Sequence, residues 1–349
     1  MRMGIAGFPG SGKTTIFNAL TGLHADVGLG ASSAALKPNL GVLKVPDARV
    51  DALAEIFSPK KITYAEMTFV DFPDPPTTGG RLDERVLTQM READALAHVV
   101  RAFDDPAQPA PDPRRDLESF KTELVVADLA IVERRLERLK REKGKERERE
   151  LLDKIREALE AETELRHLGL SREEETSLAG FQFLTLKPRL TVVNVDETAV
   201  ADPAPDTVRE FAEAEKLSLL VISGKVEMEL SELEPDDRRN FEKDLGLEES
   251  ARDRFIQASY ALLNLMSFLT AGEDEVRAWT IRRGEVAQGA AGKIHSDIAR
   301  GFIRAEVIPY EAMVQYRTEA KCREAGKLRL EGKDYVVADG DVIHFRFNV

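Results

Sequence analysis

The 349-residue chain holds a single cysteine, Cys322, which excludes an intramolecular disulfide and fits a reducing, cytosolic setting. Long apolar runs are missing as well. The longest, Tyr260 to Leu269, is about half a membrane span and is interrupted by Asn264 and Ser267, so no membrane partner is expected. The apolar N-terminus is short and enters a glycine-rich turn directly, which argues against a signal peptide. Excess positive charge is also lacking. Lys and Arg number 50 against 63 Asp and Glu, a net charge of −13, and this argues against general coating of nucleic acid. The balance is uneven, because residues 264–349 carry 13 charges of each sign and the net charge falls on the first 263 residues. A neutral C-terminal module on an acidic body is compatible with local contact to RNA.

What is present starts at Gly7. Residues Gly7–Thr14 read G-x-x-x-x-G-K-T, after the apolar run Met3–Gly7 and before helical spacing over Lys13–Leu20. Strand, glycine loop and helix in that order make a phosphate-binding loop. Gly10, Ser11, Gly12, Lys13, Thr14 and Thr15 are the expected nucleotide contacts. Backbone N–H groups surround the α- and β-phosphates, Lys13 reaches the outer phosphates, and the Thr14 hydroxyl ligates Mg²⁺. Asp71 closes the apolar run Met67–Asp71 and is the second metal candidate, holding a water on the ion. The opening GFPGSGKTT suits a nucleotide kinase, whereas the following IFNALT suits the first helix of a switch GTPase.

Further strands are expected at Ala95–Arg101, Arg189–Asn194 and Ser218–Ser223, runs apolar enough for a parallel α/β sheet covered on both faces. Asn194-Val195-Asp196-Glu197 has the form of a base-recognition loop, with Val195 where switch GTPases carry Lys and Glu197 as the final acid. Leu117 to about Leu170 contains no proline and is crowded with Arg, Lys and Glu. Val125, Leu129, Val132, Leu136 and Leu139 form a narrow apolar seam, repeated by Leu152, Ile155 and Leu159 beyond Gly144. Two antiparallel helices forming an inserted arm are predicted. Lys327–Leu330, Tyr335–Val337 and Val342–Phe347 read as short strands of a small mixed β-sheet domain, with Ile343, Phe345 and Phe347 on one face. Of the five histidines, His98 reads as a core residue and His295 as a structural hydrogen-bonding group. His24, near switch I and within reach of a nucleotide, reads as a surface loop residue, and His167 and His344 read as structural or solvated.

These stretches carry a resemblance. GFPGSGKTTIFNALT, KPNLGVLKVPDARVDALAEIF, NVDE, VISGKVEMELSEL, EVRAWTIRRGEVAQGAAGKIHSDIARGFIRAEVI and AGKLRLEGKDYVVADGDVIHFRFNV are similar, essentially end to end, to the Obg-like ATPase (YchF) family. The resemblance implies a Ras-like P-loop domain over 1–116 and 185–263. It further implies an inserted helical, coiled-coil arm over 117–184 and a C-terminal TGS domain of ubiquitin-like β-grasp shape over 264–349. It favours the switch-type fold over the kinase. It implies ATP in preference to GTP with Mg²⁺, the base being met by Asn194, Val195 through its backbone, Glu197 and Ser223. It also implies a cytoplasmic protein that associates with ribosomes or another RNA-containing complex.

Departures from the family pattern fall around the γ-phosphate. The switch I threonine aligns with Ala35, with Ser32 and Ser33 nearby. The switch II D-x-x-G becomes DFPDPPTTGG, with Asp74 in place of glycine between Pro73 and Pro75–Pro76. The family's water-positioning histidine has no counterpart in DDPAQPAPDPRRD, and no catalytic residue is assigned. The expectation is slow or absent hydrolysis in a regulatory switch. A competent slow NTPase and a nucleotide-stabilised scaffold stand as alternatives.

Overall fold

The computed structural model describes residues 1–25, 37–72, 82–247 and 249–348. In chain order the elements are β1 (Arg2–Ala6), α1 (Lys13–Thr21), β2 (Asn39–Lys44), α2 (Ala48–Phe57), β3 (Lys61–Thr63), β4 (Glu66–Asp71), α3 (Glu84–Met90), β5 (Ala95–Ala102), α4 (Pro113–Leu139) and α5 (Glu146–Glu160). Then follow α6 (Arg172–Leu178), β6 (Arg189–Val195), α7 (Asp206–Ala214), β7 (Ser218–Ile222), α8 (Gly224–Ser231), α9 (Pro235–Asp244) and α10 (Ala251–Leu262). The remainder is β8 (Leu265–Thr270), β9 (Glu275–Arg282), α11 (Ala287–Ile294), α12 (Ser296–Arg300), β10 (Phe302–Ile308), α13 (Tyr310–Tyr316), α14 (Glu319–Glu324), β11 (Arg329–Glu331) and β12 (Val342–Phe347).

The chain divides into two compact units, Met1–Val42 with Thr68–Leu262, and Leu43–Met67 with Leu263–Val349. In the first, the sheet order is β2-β4-β1-β5-β6-β7, and β1 pairs in parallel with both β4 and β5. β5 pairs with β6 and β6 with β7, again in parallel. Every residue of β6 is buried, which accounts for its near-continuous apolar run. In such a sheet the loops leaving the carboxyl ends of the strands gather at one edge, and that edge is where ligands bind.

Helix α4 is built to start where it does. Pro113 sits in its first turn, and the Asp112 side chain accepts from Arg115 N at 3.1 Å. Leu117, Phe120 and Leu124 pack into the sheet's clusters, whereas Val125, Val132, Leu136 and Leu139 pack with Leu152, Ile155 and Leu159 of α5. The sequence division that starts the arm at 117 is therefore corrected: the first turns of α4 belong to the nucleotide unit's core. The apolar spacing runs unbroken through both parts, so periodicity gave no sign of the change of partner. His98 of β5 is buried, with its ring stacked on Phe120 at 3.7 Å. Burial, helped by nearby Arg189, holds its pKa well below the ordinary imidazole value, so it stays neutral.

The second unit has a mixed sheet ordered β11-β10-β12-β8-β9-β3. β8–β9 and β10–β12 are antiparallel, whereas β12–β8 and β3–β9 are parallel. Two apolar clusters take part, one with Val50, Leu53, Leu269 and Val276, the other with Phe268, Ile281, Val307 and Phe345. Residues 43–67, assigned from sequence to the nucleotide domain, thus pack with the C-terminal residues. Their amphipathic spacing shows that a face is buried but not what buries it. Tyr335–Val337 forms only an isolated bridge, Val286 with Val336, and not a strand. Phe347 is 45% exposed while Val342 is buried, so the simple alternation expected of β12 fails at both ends. His295 Nδ1 accepts from Asp297 N at 3.2 Å, capping α12.

A chain ended after Leu262 should leave Val50, Leu53 and Ala65 without the cluster that covers them. Each fully buried aliphatic residue contributes about 1.5–3 kcal/mol, so residues 43–67 should lose order and bind an apolar fluorescent dye. Dye fluorescence at the full-length level would contradict this packing.

Candidate nucleotide site

Among the described residues, the loops after β1, β5, β6 and β7 lie at the carboxyl edge of the first sheet. The loop after β1 turns where Phe8 O accepts from Ser11 N at 3.1 Å, and α1 then begins at Lys13, which is buried. Gly12 caps the N-terminus of α1 in the left-handed region, at φ 85° and ψ 17°. A Cβ there would stand 2.2 Å from Asn194 Nδ2. Both constraints call for glycine.

Register carries the metal candidates together. Asp71 lies opposite Ile5, next to the last residue of β1, and is fully buried. Thr14 Oγ1 donates to Asp71 Oδ2 at 3.0 Å, and Asn39 Nδ2 donates to the same oxygen at 3.1 Å. Thr14 and Asp71 thus stand side by side. A hydroxyl and a carboxylate are the hard oxygen donors that suit Mg²⁺, so the residues fit the ion. Asn39 was not among the expected site residues; only its position opposite Asp71 reveals it.

Asn194 joins two loops. Its Nδ2 donates to Ser11 O at 3.0 Å, and its Oδ1 accepts from Gly224 N at 2.9 Å. Ser223 precedes α8 and is fully buried, and among the described residues neither its hydroxyl nor that of Ser11 has a hydrogen-bond partner. Two buried unpaired hydroxyls beside the loop suit a polar ligand. Val195 faces inward with Val100, Val193 and Val208, leaving its backbone for any contact with a base. Glu197 is exposed and paired with Lys225 of α8 at 2.7 Å, which raises the Lys225 pKa. Thr15 is half-buried in the first turn of α1. Ser32, Ser33 and Ala35, and Pro73, Asp74, Pro75 and Pro76, lie outside the described residues.

The loop between β5 and α4 forms another wall that the sequence did not reveal. Arg101 donates to Phe103 O at 3.4 Å and to Pro109 O at 2.5 Å, and Asp104 N donates to Asp196 Oδ2 at 3.3 Å. Away from this edge, Glu164, His167 and Glu215 have a spacing that a metal could use. Arg189 at 2.9 Å and Arg166 at 2.5 Å already neutralise Glu164, and Lys121 at 2.7 Å neutralises Glu215. That group is an ion-pair network.

A strand, a glycine loop with its lysine on the following helix, and a strand-end carboxylate against the helix threonine define a P-loop domain of the GTPase class. Residues 2–134 match a family model described as "50S ribosome-binding GTPase". Residues 265–348 match the YchF-GTPase_C model, described as "Protein of unknown function (DUF933)". The chain is 44% identical to the ribosome-binding ATPase YchF of Pasteurella multocida (strain Pm70), over 100% of this chain and 99% of that one. It is 42% identical to the ribosome-binding ATPase YchF of Bacillus subtilis (strain 168), over 99% of each. Its fold matches the solved YchF GTPase of Schizosaccharomyces pombe with a TM-score of 0.88 at 31% identity, covering 99% of this chain and 97% of that one. The chain belongs to the YchF family.

Proposed function

We propose that this chain binds ATP in preference to GTP, with Mg²⁺ held by Thr14 and Asp71, and hydrolyses it slowly while associated with the ribosome. Asn194 carries the reading: one buried side chain braces the phosphate loop at Ser11 and the α8 N-terminus at Gly224, so phosphate and base ends form one site. The names of the relatives, ribosome-binding ATPases, supply the partner. A bound Mg²⁺ would supply charge neutralisation at the outer phosphates. Lys13 and the loop N–H groups bind and orient the triphosphate, and Asn194 sets the distance to the base loop.

Slow turnover follows from the sequence of the switches. Ala35 offers no oxygen to the metal, Asp74 replaces a glycine, and the adjacent prolines lack N–H donors. Removal of one transition-state donor typically costs about 10²–10³-fold in rate, so turnover without a partner should stay below about one per minute. Glu197 has one more methylene than the aspartate that reads guanine, which displaces its carboxylate from the geometry guanine needs. A lost charged hydrogen bond costs about 1.5–3 kcal/mol, about ten- to hundredfold in affinity. Competition titration should therefore show ATP binding at least as tightly as GTP, and Glu197→Asp should shift the preference toward GTP. GTP binding tenfold tighter than ATP would overturn the base assignment. Co-sedimentation with ribosomes, with and without ATP, tests the partner; no sedimentation in either state would remove it.

A further inference from the structure

Strand β12 lies inside the second unit's sheet, between β10 and β8, yet only one of its edges is paired along its length. β10 runs antiparallel to it from Val342 to Phe347. β8 meets it at a single pair, Val342 with Leu269, and then turns back into β9 while β12 continues. The sheet therefore has a notch, with residues 343–347 on one side and the turn 270–275 on the other. A groove of about 410 Å³ fills it. Side chains alternate along a strand, so a groove over a sheet face touches every second residue. This one touches Val342, Ile343, His344 and Phe345 in succession, which only the edge of a strand presents. Asp341 O accepts from Leu269 N at 2.8 Å on the β8 side, and Asn348 N donates to Gly301 O at 2.9 Å on the β10 side. Alternation between those two ends turns the N–H and C=O groups of Phe345 and Phe347 into the notch. Among the described residues no strand or turn backbone bonds to them there.

The outer edges of the same sheet, β3 and β11, are three residues long and carry Lys61, Arg329 and Glu331, which blunts them against pairing. The notch is built differently. Its edge belongs to two phenylalanines, and Phe347 is 45% exposed. On one face Ile294 and Ile298 pack with Phe345. On the other Glu306 pairs with Arg346 at 3.0 Å, and Glu319 acts on the same guanidinium. Five carboxylates line the groove, with no lysine or arginine. Lys60, Lys61 and Arg346 pair with Asp274, Glu275 and Glu306, which leaves Glu273 and Glu319. We infer that this notch binds an extended basic peptide segment of a partner protein, which adds a strand along β12. Its apolar side chains face Ile294 and Ile298, and the lysines or arginines that alternate with them face Glu319. Main-chain bonds to Phe345 and Phe347 hold the segment, and the alternation selects it. Carboxylates repel phosphate, so the same lining opposes a nucleic-acid backbone. The nucleotide site plays no part.

The probe is a blocked, fluorescent Lys-Val-Lys-Val-Lys peptide, titrated against the full-length chain at about 0.15 M salt, which screens long-range attraction to the acidic body. Anisotropy should show saturable binding, and amide hydrogen exchange at residues 343–347 should slow by roughly tenfold. A copy methylated at every backbone nitrogen keeps its charges but cannot donate, and should bind about tenfold more weakly or worse. Glu273→Gln combined with Glu319→Gln should weaken the unmethylated peptide by about threefold, with exchange elsewhere in the chain unchanged. Equal binding of the methylated copy, or protection only outside 343–347, overturns the added strand. No saturation below about 1 mM peptide overturns the site. Protection of 343–347 that grows with protein concentration in the absence of peptide would place a second copy in the notch and overturn the peptide. Protection there by oligouridylate and not by the peptide would do the same.

Discussion

Gly12→Ala should weaken ATP binding by about a hundredfold or more in a protein that still folds. The residue sits at φ 85°, where a Cβ costs roughly 1–2 kcal/mol. The new methyl would also stand 2.2 Å from Asn194 Nδ2, so Asn194 has to move. It then gives up its bonds to Ser11 O and Gly224 N, both in buried surroundings. Buried groups left unpaired cost about 1–3 kcal/mol each, and about 2.7 kcal/mol already corresponds to a hundredfold in affinity. Titration with a fluorescent ATP analogue measures the loss, and a circular-dichroism spectrum like the wild type shows that the sheet survives. Asn194→Ala removes the same bonds without the strain and should lose less. Affinity within threefold of wild type in Gly12→Ala would show that the brace has no part in binding.

The largest effect on stability is expected at Asp128, on the inward face of α4. Its fully buried carboxylate accepts from Leu184 N at 3.1 Å, Thr185 N at 2.8 Å and Thr185 Oγ1 at 2.8 Å. Arg91 at the end of α3 completes the set at 2.7 Å, with a side chain only 12% exposed. Asp128→Ala leaves a guanidinium and two buried N–H groups without their acceptor. Breaking a buried pair on one side costs about 3–5 kcal/mol, a large share of the roughly 5–15 kcal/mol that holds a domain together. Urea denaturation should show a midpoint well below wild type. Asp128→Asn should fall between, because one carbonyl oxygen replaces two carboxylate oxygens. Nucleotide affinity of the folded fraction should change little, since neither Leu184 nor Thr185 lines the candidate site. A loss under about 1 kcal/mol in Asp128→Ala would mean that water takes over the carboxylate's work.

The parts of the site legible in the sequence are those whose chemistry is local. Gly10 to Thr15 form a contiguous loop, and Asp71 closes an apolar strand, so spacing alone announced them. Asn194 was legible as a motif residue, but its double bond to Ser11 and Gly224 depends on the register of β6 with β7 and on the seating of α8. Asn39 was invisible for a related reason: it stands at the start of β2 and reaches Asp71 only because the fold sets the amino end of β2 beside the carboxyl end of β4. The boundary of the arm was missed because Leu124 and Val125 are neighbours in the apolar spacing of one helix and yet serve different cores.

The sharing of residues 43–67 with the C-terminal unit has a consequence for synthesis of the chain. At about 5–20 residues per second, the roughly 200 residues between Met67 and the start of β8 take about 10–40 s to emerge. Throughout that interval Val50, Leu53 and Ala65 have been made but the strands that cover them have not. β8 and β9 reach β3 directly, whereas β10 and β11 join the sheet only through β12, which pairs with both β10 and β8. The second core therefore closes fully only after β12 has been made, and until β8 and β9 emerge an early apolar helix waits with its cover unmade.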